Sequence, residues 1–446
     1  MYRAHRPVQQ ECSDLLVAAD AYTSWVRRQA TRGAAWMLLG RGTAVAAQFA
    51  ALLVLARYLD EAQFGLAWMV AVVLGIAGVA ADLGMDVLIV QRREIDDRRA
   101  ANLSYYAGFA TMLLVGVLAP LLSMLFGDPA GLEDLMAAGS TVLLLSGFGL
   151  PARARLRREF WFGRLTAVDA ARALTTAVAS IAFALQGFGA WSLVLGDICA
   201  VGISGALAWL LAPPMRPGAD KDVVRDGLHI VGTRLADSCF QQADRFFVGS
   251  RLGAGSLGLY GFAWRHAMVL ATNVTQVAEQ VALPIFSRLQ EDREKLAEAY
   301  LALTRVLCLV IVPAAALLWG LAPWLVDLLY PAHWGEAVRP MQALCIAAAA
   351  AGLNSDPGLV WLALGRMRLR LTWSLANLIV IVPIVAIGTN HGVEGVAHAL
   401  AARSVVATVV AQVITHRVAG VSHLGYLRAL LPGALLGAAF VLPFLL

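Results

Sequence analysis

Charged and amide side chains recur at helical spacing inside two apolar stretches of this 446-residue chain. In the first, Ile230 to Leu252, the residues Arg234, Asp237, Gln241, Asp244 and Arg245 fall at i, i+3, i+7, i+10 and i+11, so a helix carries them along one stripe. In the second, Arg265, Thr272, Asn273, Gln276 and Glu279 fall at i, i+7, i+8, i+11 and i+14. Two earlier stretches carry fewer such groups: Arg41, Thr43 and Gln48 in one, and Asp82 and Asp86, one helical turn apart, in the other. An ionisable group inside a membrane span costs roughly 2.5–3.5 kcal/mol on insertion scales, so these groups either face a water-filled cavity or neutralise one another within a bundle. The planar guanidinium forks of Arg41, Arg234 and Arg265 match phosphate or diphosphate oxygens bidentately, and the competing reading pairs them with nearby carboxylates. Asp82, Asp86, Asp244 and Glu279 suit either a coupling proton or cation, or neutralisation of those arginines.

The elements that must position these groups are spanning helices. With 59% hydrophobic residues, 15% charged residues and a mean hydropathy of +0.70, the chain lies outside the soluble range, in which about a quarter of residues are charged. Apolar segments long enough to cross a bilayer occur at 34–57, 65–90, 102–126, 135–152, 165–186, 189–212, 228–251, 258–283, 300–328, 338–363, 370–388, 393–416 and 428–446, which makes thirteen. The sequence therefore predicts an all-α polytopic membrane protein. The net charge of +5 arises from short arginine clusters between apolar runs, a topogenic pattern and not a nucleic-acid-binding face. The five cysteines lie far apart without metal-ligand spacing, and no cofactor, phosphate-loop or hydrolase motif is present, so neither a metal site nor catalysis is expected.

A cytoplasmic amino terminus puts RRQATR, QRREIDDRR, ARARLRREFWFGR, MRPGADKDVVR, SRLQEDREK and GRMRLR on one side, while the opposite loops carry few basic residues. This orientation places Arg234 and Asp237 nearer the cytoplasmic end of their helix, and Asp244 and Arg245 nearer the other end as candidates for an outer gate. Asp82 and Asp86 fall near the cytoplasmic end, where they suit a gate as well as a cavity. An internal repeat divides the chain. Leu59, Phe64, Gly65 and Leu66 match Leu252, Leu257, Gly258 and Leu259 at an offset of 193, and Gly187 and Leu195 match Gly392 and Leu400 at 205. The expected organisation is a cytoplasmic segment 1–33 with an interfacial helix, a first lobe 34–212, a linker 213–227, a second lobe 228–416 and an extra helix in 417–446. Six helices per lobe is an even number, so the lobes enter the membrane in the same sense, with a cleft between them.

Asn354, Ser355, Asp356 and Pro357 interrupt the tenth span as a kink, a hinge or an unwound ion site. Asp169 and Arg172, at i and i+3, read as a local pair, and Asp197, His398 and Arg403 stay unassigned.

The stretch LVLARYLDEAQFGLAWMVAVVLGIAGVAADLGMDVLIVQRRE resembles the opening helix pair of the polysaccharide transporter family, the Wzx-type flippases of the MOP superfamily. ADRFFVGSRLGAGSLGLYGFAWR and ALPIFSRLQEDREKLAEAY resemble that family's seventh and eighth spans and the following turn, and the similarity runs from about 34 to 430. The resemblance implies two six-helix lobes in a V around a cationic cavity. It further implies an inner-membrane flippase that moves an undecaprenyl-diphosphate-linked sugar repeat unit by alternating access. The partners implied are membrane lipid, polysaccharide polymerase or export machinery, and a coupling proton or sodium ion. Gln241, Gln242, Asn273 and Gln276 would then suit the sugars. The alternatives are a multidrug or ion antiporter of the same superfamily, which an arginine-lined cavity disfavours for cationic cargo, and a polytopic polymerase or ligase, which would need larger external loops than this chain has.

Overall fold

The computed structural model describes residues 42–91, 96–218 and 223–445. Arg41 and the interfacial helix expected within 1–33 lie outside them. The described chain is helical, with no strand among the described residues. Helix α1 (Gly42–Tyr58) leads into α2 (Glu61–Asp82), whose start is fixed by a capping box: Asp60 accepts the Gln63 N–H, and the Gln63 side chain accepts the Asp60 N–H. There follow α3 (Met85–Gln91), α4 (Asp97–Met124), α5 (Leu132–Gly139), α6 (Thr141–Arg158), α7 (Phe162–Leu185) and α8 (Trp191–Leu211). The second half comprises α9 (Val223–Arg288), α10 (Arg293–Leu329), α11 (Val338–Leu353), α12 (Ser355–Ala363), α13 (Met367–Gly388), α14 (Gly392–Ala419) and α15 (His423–Leu445).

Every expected span has a helical counterpart, and nine helical stretches among the described residues are long and apolar enough to cross a membrane. The two most polar predicted spans both lie in the 66-residue α9, outside that set, which folds back at Gly253 (φ +82). Only glycine enters that backbone region without strain, so one residue makes the far-side turn between the seventh and eighth spans. The second predicted span is not continuous. Leu83 (φ 48) and Gly84 (φ 67) are both left-handed and divide it into α2 and α3, and the tenth span breaks at Asn354 between α11 and α12. The described start of the α8–α9 connection is pinned: Asp97 exchanges backbone and carboxylate hydrogen bonds with Arg216, and Arg155 donates to the Pro213 carbonyl at 2.8 Å.

The repeat read from sequence has a structural image. An added Cβ on Gly65 would fall 1.8 Å from the Ala254 carbonyl oxygen, and one on Gly258 would fall 1.9 Å from the Glu61 oxygen. The two contacts exchange under the same offset of 193, and Trp68 against Gly261 is likewise a repeat-related pair. The starts of α2 and of the second arm of α9 therefore cross parallel and almost backbone to backbone, as two-fold-related helices do when the axis runs along the membrane normal.

We call this the far end, and the opposite one, where Arg153, Arg157 and Arg158 gather, the basic end. The largest apolar core belongs to both halves, joining Leu55, Phe64 and Met69 to Tyr260, Trp334 and Met341. Trp334, fully buried, stacks on Phe262 and donates to the Ala56 carbonyl at 3.1 Å, closing the far end over α1. Toward the basic end the clusters separate, Met85, Ile89 and Ala154 within the first half and Phe286, Tyr300 and Val360 within the second. There the halves meet through Gly227 against Leu83 and through ion pairs. Helix α15, outside the repeat, packs along α10, with Gly433 against Cys308 and Phe444 against Gly320.

Candidate functional site

The left-handed turn at Leu83–Gly84 ends α2 at Asp82 and begins α3 so that Asp86 falls in its first turn, with the Asp86 N–H directed at Asp82 at 3.4 Å. The two carboxylates thus flank a turn instead of sharing one helix face, yet they still converge. Arg234, on the first arm of α9, donates to Asp82 at 2.6 Å and to both oxygens of Asp86 at 2.8 and 3.1 Å. Arg157 stands 4.0 Å from Asp86 Oδ2. One turn along α9, Ser238 donates to the Gly75 carbonyl at 3.0 Å, and the Gln242 amide lies where a Gly75 side chain would be. The Arg234 cluster is an ion-paired clamp between the halves at the basic end.

Beyond it, α1, α2, α6, α7 and α8 line a cavity of about 330 Å³, into which Arg265 reaches from the second arm of α9. Its polar lining is Gln48, Thr176, Ser180, Asp197 and Arg265; its walls include Leu52, Phe64 and Trp68. Arg265 makes no hydrogen bond or ion pair with a described residue. Asp197 is held by Arg172 at 3.4 Å, while Asp169 is held by Arg153 at 2.5 Å. The local Asp169–Arg172 pair expected from spacing is therefore not formed: both residues look across to neighbouring helices, which in an antiparallel bundle come as near as the next turn.

Asp244 and Arg245 occupy a different place. Asp244, 6% exposed, accepts from Tyr260 at 2.5 Å, and its other oxygen is buried without a partner. Arg245, 8% exposed, lies over Trp264 at 4.0 Å and Trp68 at 4.9 Å and donates to Gln242, bridging α9 to α2. Arg403, which the sequence left unassigned, donates to Asn377 and covers the Phe240 ring. Of the remaining candidates, Asp237 and Gln241 are exposed on α9, and Asn273 donates to its own helix at Val269 and lines an apolar groove beside α10. Gln276 is exposed, and Glu279 lies within electrostatic reach of Arg370. None of these lines the Arg265 cavity. The helix containing Asp356 is described, but its side chain lies outside the described residues. Among the described residues no group of three or more His, Cys, Asp or Glu could hold a metal ion.

Sequence reasoning missed Thr176 and Asp197 as wall residues of this cavity, and Arg172 as the partner of Asp197. The available signal was an aspartate in the otherwise apolar WSLVLGDICA.

The fold is the one seen in solved transporters of the MOP superfamily. It superposes on the lipid II flippase MurJ, inward closed conformation, with a TM-score of 0.73 at 12% identity over 93% of this chain and 98% of that one. It matches an inward-facing multidrug resistance MATE family transporter of the MOP superfamily with a TM-score of 0.65 at 16% identity, over 86% of this chain and 95% of that one. Within that fold, residues 54–339 match the family described as polysaccharide biosynthesis protein, and the chain belongs to that family. Among its relatives is the lipopolysaccharide biosynthesis protein WzxC of Escherichia coli (strain K12), 24% identical over 86% of this chain and 80% of that protein.

Proposed function

We propose that this protein moves an undecaprenyl-diphosphate-linked oligosaccharide repeat unit across the bacterial inner membrane for exopolysaccharide, O-antigen or capsule assembly, by alternating access and without catalysis. The observation that carries this reading is Arg265, a guanidinium without a counter-ion among the described residues, in a cavity bordered by both halves. An unpaired cation away from bulk water is costly unless an anion or water joins it, and a diphosphate supplies bidentate oxygens of the right geometry. Sugars attached to that head need hydrogen-bonding groups, which Gln48, Thr176 and Asp197 supply beside Arg265, with Phe64 and Trp68 as apolar faces. The lipid tail stays in the bilayer.

Arg234 has a different part in this reading. Two carboxylates already satisfy it, so it serves as the cytoplasmic gate, and Arg245 between Trp68 and Trp264 serves as its outer counterpart. Opening the cytoplasmic gate uncovers Asp82 and Asp86 together, which makes them the candidates for a coupling proton or sodium ion. The amino terminus is cytoplasmic, following the basic clusters, and the translocated unit passes to polymerase and export machinery. A multidrug antiporter carrying organic cations is disfavoured, because like charge at Arg265 repels such cargo.

The test combines genetics with reconstitution. Loss of the protein should accumulate a lipid-linked intermediate on the cytoplasmic leaflet, and Arg265→Ala should reproduce that phenotype with normal membrane insertion. Proteoliposomes bearing the wild type should flip the diphosphate-linked unit, and those bearing Arg265→Ala should not. Undiminished export and flipping by Arg265→Ala would remove the cavity from the mechanism.

A further inference from the structure

A second polar pocket, of about 200 Å³, opens toward the basic end between α2, α3, α6, α7 and α8, and its charged lining is Asp82, Asp86, Arg153, Arg157 and Arg172. It adjoins the Arg265 cavity through one ion pair, because Arg172 lines the pocket and its partner Asp197 lines the cavity. We propose that the Arg172–Asp197 pair is an inner barrier on a guanidinium track, Arg157 to Arg172 to Arg265, along which a phosphate-bearing headgroup passes through the first half; the proposal rests on the flippase reading of the Arg265 cavity.

The way each arginine is held distinguishes the track from its surroundings. Arg153 is committed to Asp169 at 2.5 Å, and Arg158 to the buried Asp97 at 2.8 Å, so neither is available to a ligand. Arg157 stands 4.0 Å from Asp86 and Arg172 stands 3.4 Å from Asp197, both with more than two-fifths of the side chain exposed. A contact of 3.4 Å is at the outer limit of a hydrogen bond, and an exposed ion pair contributes about 0–1 kcal/mol. An incoming diphosphate carries more charge and more oxygens than one carboxylate, so it displaces Asp86 from Arg157 and then Asp197 from Arg172. Arg265, with no carboxylate to displace among the described residues, is the end of the track. Once released, the Asp197 carboxylate faces the cavity as an acceptor for sugar hydroxyl groups. The carboxylates act as removable counter-ions for Arg157 and Arg172 when the track is empty.

The experiment measures binding to the full-length protein in lipid nanodiscs, with undecaprenyl diphosphate and inorganic pyrophosphate as separate probes. Arg172→Gln should weaken undecaprenyl diphosphate about tenfold, the loss of one charge-assisted contact, and Arg172→Lys should weaken it less. Asp197→Asn, which frees Arg172, should strengthen binding severalfold. Thermal unfolding matched to the wild type shows that each variant is folded. The lipid-linked probe should bind more tightly than pyrophosphate; equal affinity would mean that the track serves a free phosphate anion and would overturn the headgroup assignment. Unchanged binding in the Arg172 and Asp197 variants, with a loss in Arg265→Gln, would overturn the track while leaving the flippase reading intact. Unchanged binding in Arg265→Gln as well would remove both.

Discussion

Removing the Arg234 guanidinium should release the two halves at the basic end. The cation donates once to Asp82, at 2.6 Å, and twice to Asp86, at 2.8 and 3.1 Å. Opposite unit charges about 4 Å apart attract by about 4 kcal/mol at an effective dielectric of about 20. Arg234 keeps 37% of its side chain exposed, so screening, desolvation and side-chain ordering offset roughly half of that. About 2 kcal/mol remains, which is about a thirtyfold change in the ratio of closed to open forms. Spin labels at Phe160 and Gln290, exposed positions at the basic ends of the two halves, report the opening by pulsed electron paramagnetic resonance in a cysteine-free background. Arg234→Ala should move the distance distribution to longer values, and Asp82→Asn combined with Asp86→Asn should do the same. Exchanging the charges, Arg234→Asp with Asp86→Arg, should restore part of the short-distance population. An unchanged distribution in folded Arg234→Ala would refute the clamp.

Three further substitutions probe the packing. Gly65→Val forces a side chain onto the Ala254 carbonyl, 1.8 Å from the new Cβ, and should lower stability by at least the ~1–3 kcal/mol typical of overpacking, read by thermal unfolding in detergent. Trp334→Ala empties a fully buried site and removes the bond to Ala56, and should cost about 3–5 kcal/mol while increasing reagent access to cysteines placed beneath the far end. Tyr260→Phe strips Asp244 of its observed donor and should cost about 1–3 kcal/mol, whereas Asp244→Asn added to it should recover part of that loss, because a neutral amide is cheaper to bury; the comparison is again made by unfolding.

Hydropathy made the spans legible because each must cross an apolar slab, and that requirement acts on every segment alone. The repeat was legible through Gly65 and Gly258 for a related reason: helix backbones that nearly touch admit no side chain, so glycine is demanded at both symmetry-related places. The break at Leu83–Gly84 was hidden because VAADLGMDVL, its two aspartates apart, is apolar, and hydropathy does not register the sign of φ. The partners of the polar residues were hidden more deeply. Spacing along the chain puts Asp169 beside Arg172, but α6 and α8 bring Arg153 and Asp197 nearer, and only tertiary packing decides between local and cross-helix partners.

Those partners also explain why three arginines of α9, two read from the sequence as phosphate ligands and one as an outer gate, separate. In a medium of low polarity an ionised side chain persists only with a counter-ion, a polarisable face or water, so the surroundings of each cation restrict what it can do. Arg234 has two carboxylates from the other half, and any phosphate binding there must first break the contact that holds the halves together. Arg245 is held by two indole faces, which attract a cation but offer nothing to an anion. Arg265 has neither among the described residues, and it borders a cavity of about 330 Å³. A stripe of charges on one helix therefore does not define a binding surface. The surface is defined by the cation that the fold leaves unmatched, and from this it follows that giving Arg265 a carboxylate neighbour, by Thr176→Asp across the cavity, should block anion binding without disturbing the clamp.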